Sequence, residues 1–208
     1  DRREHFLATT QERDQVWETE LALDANAKIL GLRVVMIHDN GAYLPWGIIL
    51  PWIAITTTPG PYVVPNITVE TRVVFTNKVP TTPVRGAGRP QGVFAMERIL
   101  DKAAGELGIG RDEIRRRNLV QPAQMPYEVG FIYRDGKPVI YDSGDYPACQ
   151  AKALELADYA GFAARQALAL REGRYIGIGI GSYVEGTGLG PFEGATVRVQ
   201  QNGRVTIL

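Results

Sequence analysis

The sequence predicts an α+β fold, with mixed sheets and hairpins arranged around a central helical block. Three observations lead there. Strand-like runs occur in pairs joined by turn formers towards both ends of the chain, apolar residues recur at helical spacing in the middle, and proline and glycine gather in the connections. With 208 residues, 45% hydrophobic and 22% charged, the chain can bury a core.

Residues 15–23 and 29–37 read as two strands, and Asp24-Ala25-Asn26-Ala27-Lys28 between them makes a hairpin. Residues 40–65 hold five prolines together with Trp46, Trp52 and Tyr62, which predicts a long irregular aromatic loop, functional or covered by a partner. The alternation of Val69, Thr71, Val73 and Phe75 restores strand character over 68–77. After the turn at 81–89 comes the clearest helix. Pro90 suits its first turn, Val93, Met96, Ile99, Leu100, Ala103 and Leu107 follow at 3/4 spacing, and Gly108 ends it. A short helix over 112–117 ends at Asn118. Residues 121–144 are expected to be irregular, with Asp135-Gly136 as a hairpin turn. A third helix is expected over 147–160, continuing after Gly161 through Leu170. A glycine-rich strand and loop over 175–191 then leads into a hairpin of 195–199 and 205–208, turned at Asn202-Gly203 in type I′ geometry.

Charge and cysteine content exclude several function classes. Lysine plus arginine and aspartate plus glutamate each number 23, so no cationic surplus exists to recruit nucleic acid. The apolar run over 48–55 is interrupted by Pro51 and falls short of the roughly 20 residues that span a bilayer. No transmembrane segment or secretory signal is seen, and a cytoplasmic setting fits. The lone Cys149, in the first turn of a helix, reads as a buried or inert thiol. His5 and His38 offer no metal-ligand spacing, so no metal ligand is assigned. Arg115-Arg116-Arg117 beside Asp112 and Glu113 reads as a solvated, ion-paired helix face.

Arg85, Gly86, Ala87 and Gly88 lie between a strand and a helix N-terminus, where glycines let backbone amides approach a phosphate or oxyanion. On spacing alone a tight strand-to-helix turn explains them more simply. The glycines at 177, 179, 181, 186, 188 and 190 mimic dinucleotide spacings, but Pro191 and a hairpin follow where a helix is required. Close approach to a neighbouring strand or ligand explains them better. Glu185 is the carboxylate best placed to face a ligand.

The ordered blocks Pro83-Val84-Arg85-Gly86-Ala87-Gly88-Arg89-Pro90-Gln91-Gly92, Phe94-Ala95-Met96-Glu97-Arg98, Ile114-Arg115-Arg116-Arg117-Asn118-Leu119, Asp142-Ser143-Gly144-Asp145-Tyr146 and Glu185-Gly186-Thr187-Gly188 resemble the molybdopterin-binding large subunit of molybdenum hydroxylases. That family contains xanthine dehydrogenase, aldehyde oxidase and aerobic carbon monoxide dehydrogenase. The resemblance covers the whole chain and implies hydroxylation with water as oxygen source, electrons leaving through iron-sulfur centres to flavin. It implies a molybdenum-molybdopterin cofactor, in its cytosine dinucleotide form, against Arg85, Gly86, Ala87 and Gly88. Ile53, Ala87, Glu185 and Leu189 would line the substrate pocket, with 43–62 and 185–191 as walls converging on Arg85. Residues 1–120 would carry the cofactor loop and its helix, 121–145 an irregular connection, and 146–208 the start of a second cofactor-binding subdomain. An iron-sulfur small subunit and an FAD medium subunit would be partners, in a dimer of heterotrimers.

The family's general base is a glutamate near the C-terminus of the large subunit, so no catalytic residue is assigned here. The start at Asp1 without methionine and the apolar finish at Leu208 suggest an excised fragment, expected to be inactive and without bound cofactor. Copper-dependent CO oxidation needs a cysteine where Gly86 stands. Purine hydroxylases place an aromatic ring at Ala87 and an arginine near Ile53, which leaves a small heterocycle or aldehyde as the implied substrate. Three other readings are a carbon monoxide dehydrogenase-like large subunit, a non-catalytic structural piece and a nucleotide-binding domain, the last two of which cofactor content and nicotinamide titration would separate.

Overall fold

The computed structural model describes residues 1–44, 46–186 and 194–208. A short helix, α1 (Arg2–Ala8), opens the chain, capped by the Asp1 carboxylate accepting from the Arg3 and Glu4 amides at 2.7 and 3.0 Å. The expected hairpin follows as β1 (Gln15–Leu23) and β2 (Ile29–Asp39), antiparallel, with Leu21 opposite Leu32 and Gln15 opposite His38. Asp24 builds the turn by accepting from the Asn26 and Lys28 amides, both at 2.8 Å.

β3 (Ile67–Val74) pairs with β2 in parallel, giving the order β1-β2-β3. Parallel neighbours need a crossover, and this one contains a helix, α2 (Ile49–Thr57). The expectation of an irregular loop over 40–65 is therefore corrected. Pro51 stands at the third helical position, where the missing N–H would have no intrahelical partner, so it does not break the helix. A run that is apolar on every side shows no periodicity to read, which hid the helix.

α3 (Arg89–Leu107) matches the expected helix and ends where Gly108 turns left-handed at φ 65°. α4 (Arg111–Asn118) follows. The core lies between the sheet and these helices. Leu32, Val34 and Met36 point inward from alternate positions of β2, and Met96, Leu100 and Ala104 from α3 meet them together with Ile114 and Tyr62. Asn118 ties α4 to the first hairpin: its amide donates to the Ala27 carbonyl, and its carbonyl accepts from the Ile29 amide, both at 2.8 Å.

Arg115 overturns the reading of the arginine triplet. Arg116 and Arg117 do pair with Glu113, but Arg115 is fully buried. α4 packs on the face of α3 that carries Glu97 and Asp101, and one of three successive arginines must point there.

Residues 121–144 are less irregular than expected, because β4 (Tyr127–Ile132) and β5 (Pro138–Tyr141) flank the Asp135-Gly136 turn. α5 (Tyr146–Leu156) and α6 (Phe162–Arg171) are separate helices, broken where Asp158 takes φ 45°. Cys149 on α5 is exposed, not buried. Residues 175–186 form no strand. The last hairpin, β6 (Val197–Val199) with β7 (Val205–Ile207), is not turned by a type I′ pair. Gly203 is left-handed and Asn202 is not, with the Gln200 amide donating to the Arg204 carbonyl across a three-residue loop.

Candidate functional site

The segment leading to α3 is fixed by a strand-like contact with residues before β1. The Gln11 amide donates to the Pro80 carbonyl at 3.1 Å, and the Thr82 amide to the Gln11 carbonyl at 2.9 Å. The chain then turns through three consecutive left-handed residues, Gly86 (φ 101°), Ala87 (46°) and Gly88 (94°). Ala87 bears a side chain, so this backbone costs about 1–2 kcal/mol. Ala87 and Arg89 donate back to the Val84 and Gly86 carbonyls at 2.8 and 3.1 Å. Among the described residues, no acceptor meets the amide of Arg85 or Gly86. Arg85 is exposed, Gly86 and Ala87 are half-buried, and Gly88 is buried. An exposed guanidinium beside two unpaired N–H groups suits an anionic, oxygen-rich group.

Gly88 has a different reason to be glycine. A Cβ there would lie 2.3 Å from the Leu50 carbonyl oxygen, and one at Gly92 would lie 2.2 Å from that of Ala54. The two glycines let the start of α3 press against the backbone of α2.

Three further side chains surround the loop. Arg13 donates from Nη2 to the Arg85 carbonyl at 3.1 Å. Glu12, its neighbour, is buried, which pushes its carboxyl up from the ordinary range against the pull of Arg13 and of the Val84 and Gly88 amides. Arg89 donates to the Gly86 carbonyl at 3.4 Å and lies 3.6 Å from Glu185, so Glu185 does stand beside the loop. Arg89 sits within the quoted motif. Nothing in the sequence marks Glu12 or Arg13, whose contact with the loop spans 72 positions.

Of the other expected pocket residues, Ala87 lies in the loop itself. Ile53 is 2% exposed, buried on α2. Tyr62 is buried too, its hydroxyl donating to Glu97 at 2.6 Å. Tyr43, Trp46 and Trp52 are exposed. Leu189, Gly188 and Gly190 lie outside the described residues. A Cβ at Gly177, Gly179, Gly181 or Gly186 would meet nothing within 4 Å, so no close approach explains these glycines among the described residues. Side chains hold the segment instead: the carbonyls of Ile176, Ile178 and Ile180 accept from Gln166, Arg111 and Arg115.

The family described as the molybdopterin cofactor-binding domain matches residues 1–119, loop included. The chain belongs to that family. This molybdopterin-binding chain is 37% identical, over its full length, to the 6-hydroxypseudooxynicotine dehydrogenase complex subunit gamma of Paenarthrobacter nicotinovorans, covering 26% of that protein. It is 32% identical over 92% of its length to the carbon monoxide dehydrogenase large chain of Hydrogenophaga pseudoflava, covering 24% of it. Quinoline 2-oxidoreductase from Pseudomonas putida 86 superposes over the whole chain at a TM-score of 0.82 and 35% identity, covering 28% of the solved chain. The chain thus spans about a quarter of the length of the relatives it matches. No helix among the described residues is long and apolar enough to cross a membrane.

Proposed function

We propose that this chain supplies the cofactor loop to the large subunit of a molybdenum hydroxylase acting on a small heterocycle or aldehyde. The observation that carries this is the 85–88 loop, whose unpaired Arg85 and Gly86 amides and exposed guanidinium lie outward in a chain of this family. Arg85, Gly86 and Ala87 would hold the molybdopterin group, while Gly88 sets the loop height on α2. When bound, the group supplies two-electron oxidation with water as oxygen source. The protein's share is to orient it and to present fixed N–H dipoles. An iron-sulfur small subunit and an FAD medium subunit complete the electron path in a cytoplasmic dimer of heterotrimers, with the cofactor in its cytosine dinucleotide form. The isolated chain is inactive, because the base and the remaining cofactor contacts lie outside it. The similarity to proteins named as subunit gamma and large chain supports the multi-subunit reading.

The substrate reading rests on Gly86, which has no thiolate for copper, and on Ala87, which has no ring for a purine. The similarity to proteins named for quinoline and 6-hydroxypseudooxynicotine points the same way. In the assembled enzyme, with an artificial electron acceptor, quinoline-type heterocycles or aldehydes are turned over while CO and xanthine are not. The Arg85→Ala variant loses at least half its molybdenum content. Full molybdenum and full turnover in that variant, or xanthine turned over as fast as the best substrate, refutes the proposal.

A further inference from the structure

Among the described residues, four side-chain-bearing residues take a left-handed backbone, and two of them meet at the same loop: Ala87 lies in it and Arg13 contacts it. Such conformations persist only where the surroundings over-determine them. At Arg13 (φ 81°) the reward is direction: the guanidinium reaches the Arg85 carbonyl at 3.1 Å and keeps Nε 3.2 Å from the Glu12 carboxylate. The Glu12 side chain is 1% exposed, and neither oxygen has a hydrogen-bond partner of ordinary geometry among the described residues. The Val84 and Gly88 amides, one on each side of Arg85 and Gly86, pull its carboxyl downward against the effect of burial. A buried carboxyl whose charged neighbour is Arg13 still has acceptor capacity to spare, which favours those two N–H groups turning inward. The Arg85 and Gly86 amides, which lie between them, meet no acceptor among the described residues.

We propose that Glu12 and Arg13 are positioning residues that clamp the 85–88 loop in its left-handed, outward-facing shape. Arg13 grips the loop by the Arg85 carbonyl, and Glu12 supports it from beneath. The clamp is read from contacts within the chain; only its consequence for a bound group rests on the cofactor reading above.

The test uses the complete, assembled enzyme carrying Arg13→Gly or Glu12→Gln. Glycine adopts φ 81° without strain, so Arg13→Gly removes the grip while favouring the local backbone, and Glu12→Gln preserves shape while removing the acid. Hydrogen exchange of the peptide over 84–89 should speed at least tenfold in Arg13→Gly and threefold in Glu12→Gln, with exchange in β2 and the second half of α3 unchanged. Molybdenum content should fall at least twofold in Arg13→Gly, and the Mo(V) EPR line shape of what remains should change. Unchanged exchange over 84–89 in both variants, or an equal rise in β2 and α3, overturns the clamp. Faster loop exchange with wild-type molybdenum content and EPR signal supports the clamp and refutes the cofactor reading of the loop.

Discussion

Replacing the fully buried Arg115 by methionine keeps an unbranched stem and removes the charged head. In the folded chain Nε lies 2.7 Å from Glu97, Nη2 lies 2.9 Å from Asp101, and the carbonyls of Arg111 and Ile180 accept from it at 2.8 and 3.1 Å. Its loss leaves the Glu97 carboxylate in a poorly solvated space without a counter-charge, while Asp101 keeps only Arg98 and Arg111, each at 3.8 Å, and removing one partner of a buried pair costs about 3–5 kcal/mol. Glu97 still receives the Tyr62 hydroxyl at 2.6 Å, which places the cost near the lower end, about 3 kcal/mol. Hydrogen exchange in the assembled enzyme reads it locally. At about 1.4 kcal/mol per tenfold, α3 amides that open with the pair should exchange roughly a hundredfold faster. Burial already pushes the Glu97 carboxyl up against the pull of Arg115, so without the guanidinium it takes a proton at still higher pH. The deficit is therefore larger in alkali and shrinks on acidification. Adding Glu97→Gln should recover part of the loss. Exchange in α3 within threefold of wild type, or a double variant no better than the single one, would refute the account.

Two further expectations follow from the same contacts. Gly88→Ala brings a Cβ to 2.3 Å from a backbone oxygen at φ 94°, which costs about 2–5 kcal/mol and exposes the start of α3 to exchange. Gly177→Ala, with nothing within 4 Å, stays close to neutral, and equal exchange in the two variants would contradict the close-packing reading. His38 is buried against Gln15, and that burial holds its pKa below the ordinary imidazole value of 6.5 despite the nearby Asp39 and Asp14. Below pH 6.5 the unfolded chain takes up a proton that the folded chain refuses, so stability is lost as pH falls from there through the folded pKa. His38→Gln should flatten that part of a pH–denaturation profile.

The first hairpin and α3 were legible because their signals are local. Turn formers sit between two strand-like runs, and Pro90 and Gly108 punctuate the clearest 3/4 pattern in the chain. α2 was not legible, since Ile48, Ile49, Leu50, Trp52, Ile53 and Ile55 are apolar all round and Pro51 reads as a breaker until its helical position is known. Arg115 looks like its two neighbours until α3 sets two carboxylates against it. At the site, Arg85, Gly86, Ala87 and Glu185 are singled out by the family resemblance, since spacing alone favours a plain turn at 85–88. The left-handed Ala87 and the support from Glu12 and Arg13 depend on contacts made only after the chain folds back.

The paired close approaches at Gly88 and Gly92 also bear on how the family can change over time. Where helices meet through side chains, swapping one core residue for a larger or smaller one shifts their separation, and whatever the helix carries moves with it. Here α2 and α3 touch through main-chain atoms one turn apart, at the end that bears the loop. Drift in Met96, Leu100 or Ile114 can then be absorbed farther along α3, while the loop keeps its height above α2. Sequences can diverge widely in the interior and still deliver the same backbone atoms to the same place.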